Sequence, residues 1–182
     1  MKSHADIFLH VSHAFEGDLE RRRNLYRSHL HYFTPDDTVV DIGCGDGIWL
    51  ELLRDAGIRG VGVDQDPAKR SICKSKGLDV LDAANFDMIG NALTAFHLVE
   101  HLEPMQVIEL LSNWRWNKIL IITPNIEHPS VHGTFWKDIS HVRPYPSCVL
   151  VEILKEVGMN SVEATTQADG WDVVVYGERS RK

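Results

Sequence analysis

Asp41, Gly43, Gly45 and Gly47 fall within one run, Asp41-Ile42-Gly43-Cys44-Gly45-Asp46-Gly47, and a second carboxylate, Asp64, follows 21 residues after Gly43. Glycines this close together let backbone approach a ligand, and a helix starting directly after them aims unpaired N–H groups at an anionic group. A carboxylate spaced like Asp64, closing the next strand, accepts hydrogen bonds from both hydroxyls of a ribose. These residue types describe a site for a nucleoside-containing cofactor. A glycine cluster alone is often just a tight turn, so the strand–loop–helix context and the spaced carboxylate carry the chemical meaning.

The glycine spacing bears on which cofactor. The dinucleotide fingerprint is Gly-x-Gly-x-x-Gly, whereas this chain has Gly-x-Gly-x-Gly. Asp41, two residues before the first glycine, would sit badly against a pyrophosphate. It suits a cofactor with a cationic end, such as the ammonium group of S-adenosylmethionine. Asp82 has two readings: it accepts a hydrogen bond from the adenine amino group, or it caps a helix.

The elements that must position these groups follow from the pattern. Thr38 to Ile42 is a short β-branched run leading into the glycines, and Ile48 to Leu53 follows at helical spacing, ended by Gly57. Gly60 to Asp64 reads as a second strand, Pro67 to Lys76 as a second helix and Leu78 to Leu81 as a third strand. Leu93 to His97 is a fourth strand, Met105 to Leu111 a helix, and Lys118 to Ile122 a fifth strand, apolar as a strand covered on both faces should be. Pro124 to Pro146 reads as irregular, and Cys148 to Val157 as a last helix closed by Gly158. Ser161 to Thr166 and Trp171 to Tyr176 alternate around the turn residues Ala168-Asp169-Gly170, a hairpin pattern. Strands alternating with helices predict an α/β fold: a Rossmann-like, doubly wound, mostly parallel sheet with a C-terminal antiparallel hairpin. The expectation is one domain over 1–182, with an N-terminal helical cap over 1–36 and the Rossmann-like core over 37–182.

Composition narrows the function classes. A chain of 182 residues buries a full core, and its net charge of −7 argues against a dedicated nucleic-acid binder. The basic run Arg21-Arg22-Arg23 reads first as the solvated face of a helix, and second as a contact for an anionic substrate group. Three scattered cysteines, Cys44, Cys73 and Cys148, make neither a disulfide framework nor a zinc knuckle. Nothing near residue 1 has the layout of a signal peptide, and no apolar run approaches the length of a membrane span. A cytoplasmic protein without membrane insertion is expected; its oligomeric state is not legible.

The run Val39 to Gly47 resembles motif I of the class I S-adenosylmethionine-dependent methyltransferases, and Val61-Gly62-Val63-Asp64 resembles their following acidic motif. Phe96-His97-Leu98-Val99-Glu100-His101-Leu102 is similar to the fourth-strand motif of a large subset, and Ile122-Thr123-Pro124-Asn125 to the end of its fifth strand. More narrowly, Phe15-Glu16-Gly17, the helix from Arg21 to Tyr26, Leu50 to Gly57 and Phe135 to Tyr145 resemble methyltransferases of bacterial surface-polysaccharide (O-antigen) synthesis. With the residue reading, this implies S-adenosyl-L-methionine as cofactor. The candidate binding set is Asp41, Gly43, Cys44, Gly45, Asp64, Gln65, Asp82, Ala83, Phe96 and His97.

The acceptor side is read from His, Arg and Lys. A sugar hydroxyl benefits from a nearby base, for which His101 and His141 are candidates. A phosphate oxygen needs cations instead, which Arg143, Lys137 and the Arg21 to Arg23 run can supply. The expected partner is a small-molecule or glycan substrate. An NAD-dependent oxidoreductase and a catalytically silent cofactor-binding scaffold remain the alternatives. His97-Leu98-Val99-Glu100-His101 matches the His-x-x-Glu-His pattern of inverted zinc proteases. That pattern needs a continuous helix and a third ligand. The segment starts in a strand and runs into Pro104, and the loop histidines His128, His132 and His141 match no tight ligand spacing, so no metal is expected.

Overall fold

The computed structural model describes residues 19–85 and 89–180. Seven strands form one sheet: β1 (Thr38–Ile42), β2 (Arg59–Asp64), β3 (Val80–Asp82), β4 (Ala92–Phe96), β5 (Lys118–Pro124), β6 (Ser161–Thr166) and β7 (Asp172–Glu178). Their order is β3-β2-β1-β4-β5-β7-β6. The first five run parallel, and β7 joins β5 antiparallel, with Ile121 opposite Val175. β6 pairs only with β7 within this order. Strand order reverses at β1, whose neighbours are β2 on one side and β4 on the other. Open α/β sheets bind ligands at such a switch point, beyond the carboxyl ends of the strands.

The described helices are α1 (Leu19–Arg27), α2 (Ile48–Asp55), α3 (Pro67–Ser75), α4 (Pro104–Ser112), α5 (Pro129–Thr134) and α6 (Ser147–Glu156). Two start where their sequence dictates. Asp66 caps α3 by accepting from the Ala68 amide at 2.8 Å, with Pro67 in the first turn. At α4 the Glu103 amide donates to Gln106 Oε1 at 2.9 Å ahead of Pro104. The side chains of β5 alternate between two apolar layers. Leu120 and Ile122 join Trp49, Leu50 and Leu53 on one face, while Ile119 and Ile121 join Val107, Leu111, Leu150 and Leu154 on the other. The uninterrupted apolar run is thus a strand buried on both faces.

Several boundaries differ from those the sequence predicts, three of them most clearly. The third strand begins at Val80, because the Leu78 amide is held by the Cys73 carbonyl at 3.0 Å in the turn that ends α3. The stretch after the fifth strand is not wholly irregular: Pro129 opens the short α5, and a 3-10 turn covers Phe135–Lys137. The N-terminal helical pattern splits into α1 and a 3-10 turn at Leu30–Tyr32; Phe15, Glu16 and Gly17 lie outside the described residues.

Candidate active site

β1 delivers the chain to the glycine loop at the switch point. Gly43, Gly45 and Gly47 have φ of 73°, 53° and 79°, the left-handed region that favours glycine. A Cβ on Gly47 would stand 2.6 Å from Leu78 Cδ1 and 2.9 Å from Cys73 Sγ, whereas one on Gly45 would meet nothing within 4 Å among the described residues. The loop is therefore packed tightly below its end and open at Gly45. The amides of Gly43 and Cys44 donate to the Val63 carbonyl at 2.8 and 3.2 Å, which ties the loop to β2. Asp64 is oriented by two further amides, those of Gly45 (2.9 Å, to Oδ2) and Asp66 (2.8 Å, to Oδ1). Each oxygen keeps acceptor capacity for a ribose hydroxyl.

Asp41 is buried beneath the loop and accepts from Thr94 Oγ1 at 2.8 Å. Burial, reinforced by the Asp64 charge, pushes its carboxyl up to about 7 against the opposing Thr94 hydrogen bond. Asp82 accepts from the Ala84 amide at 3.0 Å, capping the 3-10 turn Ala83–Asn85, and pairs with Arg70 at 2.7 Å. Arg70 also donates to the Asp64 carbonyl at 2.9 Å, so one guanidinium joins the ends of β2 and β3. Sequence reading assigned Arg70 nothing; its place in the first turns of α3 was the available signal. Gln65 and Ala83 are exposed at the same edge.

Two members of the expected cofactor set turn their side chains elsewhere. Cys44 Sγ lies where a Cβ on Gly62 would come within 2.6 Å, and it is buried. The Phe96 ring sits in the core, 4.8 Å from the Tyr26 ring and 5.1 Å from that of Trp49. Both residues present only backbone to the cofactor edge.

Beyond β4, His97 adopts a left-handed φ of 51°. Its Nδ1 lies 3.5 Å from Glu100 and its Nε2 3.9 Å from Asp172. Glu100 is 1 % exposed and accepts from Thr123 Oγ1 at 2.9 Å. Burial alone would push His97 down and Glu100 up. Their mutual hydrogen bond, with the Asp172 charge on His97, outweighs it, holding His97 above and Glu100 below their ordinary values. The ends of β4, β5 and β7 thus share a buried polar network. Glu100, Thr123 and Asp172 were not singled out for these roles from sequence, because the partners meet only through the sheet order.

The segment after β5 returns to the same place. The amides of Val142 and Arg143 donate to the Glu100 carbonyl at 2.8 and 3.3 Å. The His101 and His141 rings stand 4.9 Å apart, centroid to centroid. Arg143 is exposed over the Tyr145 ring at 5.3 Å and forms no ion pair among the described residues. Tyr145 is itself buried, its hydroxyl donating to the Leu102 carbonyl at 2.8 Å. His101 and His141 are therefore brought together, with Arg143 on the same segment but turned over Tyr145; His128 instead stacks on Trp171 at 5.7 Å. Residues 97–101 are a bend just past β4 followed by a 3-10 turn at Val99–His101, not the continuous helix the zinc-protease pattern requires.

The basic run is not standing ready for an anion. Arg21 pairs with Asp169 in the β6–β7 turn, and Arg23 with Glu51 at 3.0 Å and Asp55 at 3.6 Å in α2. These contacts, with Tyr26 against Phe96, lay α1 across the carboxyl edge from the glycine-loop helix to the hairpin.

A strand order of β3-β2-β1-β4-β5-β7-β6, an open glycine loop after β1 and a carboxylate closing β2 define a class I S-adenosylmethionine-dependent methyltransferase. The chain belongs to a family of methyltransferase domains, whose profile matches residues 19–164. Its fold is similar to that of a SAM-dependent methyltransferase from Archaeoglobus fulgidus, at TM-score 0.83 and 22% identity over 96% of this chain and 100% of that one. An O-methyltransferase family protein from Burkholderia thailandensis superposes at TM-score 0.75 and 16% identity, over 97% of this chain and 62% of the other. The magnesium protoporphyrin IX methyltransferase of Synechocystis PCC 6803, solved with bound SAH, gives TM-score 0.68 and 14% identity, over 99% and 89%. No curated protein matches the chain. Among the described residues no helix is long and apolar enough to cross a membrane.

Proposed function

We propose that this methyltransferase acts on an oxygen, that of a glycan, of its terminal phosphate or of a related small molecule. One observation carries the reading: the His101 and His141 rings meet beyond β4, and the segment that carries His141 and the Arg143 cation is anchored to Glu100 by two backbone hydrogen bonds. Bound S-adenosylmethionine would supply a methyl group on a sulfonium: the acceptor oxygen bonds to the methyl carbon in line as the carbon–sulfur bond breaks, and S-adenosylhomocysteine, a neutral thioether, leaves. In this reading Asp64 holds the ribose, Asp41 faces the cationic end, and the backbone of Gly43 to Gly45, Phe96 and His97 shapes the floor, with Asp82, Gln65 and Ala83 at the adenine end. The chain's remaining task is to align the acceptor and exclude water. An imidazole of the His101–His141 pair takes the proton of a hydroxyl acceptor. Arg143 places an anionic one, whose oxygen is already ionised. Residues 128–145 and α1 form the two walls of the acceptor pocket.

The test is methyl transfer from labelled S-adenosylmethionine to glycans with and without a terminal phosphate, using wild type, His101→Ala and Arg143→Ala. Expected is turnover on at least one glycan class, lost in His101→Ala for a hydroxyl acceptor or in Arg143→Ala for a phosphate, with S-adenosylhomocysteine affinity unchanged. Equal loss of cofactor affinity and thermal stability would make the segment structural and move the acceptor site elsewhere.

A further inference from the structure

The geometry points to a site for one divalent transition-metal ion held by Glu100, His101 and His141. One ligand atom from each lies within 4.8 Å of the other two. Bonds of about 2.0–2.2 Å to nitrogen and oxygen place ligand atoms up to roughly 4.4 Å apart, so small side-chain rotations close the site. This is not the set that the His-x-x-Glu-His spacing suggests. His97 is engaged with Glu100 and Asp172, and the second imidazole comes from the segment after β5.

The surroundings prepare both imidazoles as ligands. His141 Nδ1 lies 2.7 Å from the Phe135 carbonyl, and His101 Nδ1 lies 3.1 Å from the Ser140 carbonyl. Carbonyls only accept, so each Nδ1 carries a hydrogen, and in the neutral ring the lone pair falls on Nε2. Ser140 Oγ, 3.0 Å from His101 Nδ1, gives its own proton to Asp138 Oδ1 at 2.6 Å and is therefore a second acceptor there. A ligating histidine held through its other nitrogen by a carbonyl is the usual outer-shell arrangement, and it raises ligand basicity. Asp138 Oδ2 stands 3.8 Å from His141 Nε2, at the margin of the cluster. Glu100, fully buried, meets Thr123 through Oε2 and His97 through Oε1, and each oxygen keeps a second lone pair for an ion. The two amides donated to its carbonyl fix the His141 segment relative to the turn that carries His101.

Two imidazoles and a carboxylate suit zinc, manganese, iron or cobalt, and three protein ligands leave coordination positions open. Those positions would take oxygens of the acceptor; with Nε2 on the ion neither imidazole is then the base, and the ion's lowering of the bound hydroxyl's pKa stands in for it. That use rests on the oxygen-methylation reading above; binding of the ion does not.

The experiment titrates zinc, manganese and cobalt, without acceptor, into the chelator-treated full chain by calorimetry, with metal content measured after dialysis. One ion per chain is expected, with affinity reduced about tenfold or more in both His101→Gln and His141→Gln. S-adenosylhomocysteine affinity is read on every variant to verify the fold, and should not change. Absence of binding by wild type at micromolar metal, or binding that survives both substitutions, would overturn the site. An inactive glycan assay with intact metal binding counts against the acceptor reading alone.

Discussion

The Gly45 amide donates to Asp64 Oδ2 at 2.9 Å, so the carboxylate that closes β2 also holds the glycine loop that follows β1. Asp64→Ala therefore removes both a ribose acceptor and a loop anchor. Hydrogen bonds to charged groups are worth roughly 1.5–3 kcal/mol each, so S-adenosylhomocysteine affinity should fall by about 100-fold or more. Calorimetry on the folded variant checks this, and an unchanged affinity would place the ribose elsewhere.

Asp41 titrates near 7, raised by burial and by Asp64. A cation bound beside it favours the ionised form, so cofactor binding should release protons and tighten as pH rises from about 6 to 8. The same raised value works against the ligand-free fold: its contribution is fully present below the unfolded value of 3.8 and is lost as pH rises through about 7. Asp41→Asn should flatten both dependences. Calorimetry in buffers of different ionisation enthalpy reads the proton release; none at pH 7 would remove Asp41 from the cationic end.

Asp37, 3 % exposed, holds Lys118 Nζ at 2.8 Å and accepts from the Thr34 amide at 2.8 Å. Burial raises its pKa, but the Lys118 and Thr34 contacts outweigh it and keep the carboxyl below its ordinary value. The stability it contributes is present above the unfolded pKa and lost as pH falls through the folded one. Asp37→Ala should cost about 3–5 kcal/mol, because Lys118 stays behind half-dry. Asp37→Ala/Lys118→Met should recover much of that loss in urea unfolding; an additive double mutant would show the two do not act as a pair.

His29, buried with no hydrogen-bond partner on Nε2 among the described residues, is pushed down to about 4 by burial and by the neighbouring His31. Between about 6.5 and 4 the unfolded chain binds the proton that the folded chain refuses, so stability should fall with pH across that window. Thermal melts of wild type and His29→Gln should converge as pH drops from 7 to 4.5. Parallel curves would assign the acid loss to other groups.

The parts legible in the sequence are those whose cause is local. The glycines of the loop and Asp64 declare themselves because a left-handed backbone and a strand-end carboxylate are properties of a few adjacent residues. The hairpin was readable from alternation, with its second strand at Asp172–Glu178, one residue later at its start than expected. What stayed hidden depends on sheet order. Arg70 meets Asp82 across two strand ends, Thr94 meets Asp41 across a strand pair, and Glu100 meets Thr123 and His141 only because β4 and β5 are neighbours. Phe96 was expected at the cofactor, but a strand-end ring between two aromatic residues is core first.

The placement of β7 has a consequence for how the protein comes into being. It is the last of the described strands in sequence, yet it lies inside the sheet between β5 and β6, with six of its seven residues buried. A nascent chain that has completed β5 and β6 has no direct way to join them. It carries the apolar edge of β5 uncovered until residues 172–178 leave the ribosome and thread between the two. The native sheet thus closes only once β7 has been made, and until then the exposed β5 edge is a part of the growing chain in need of protection.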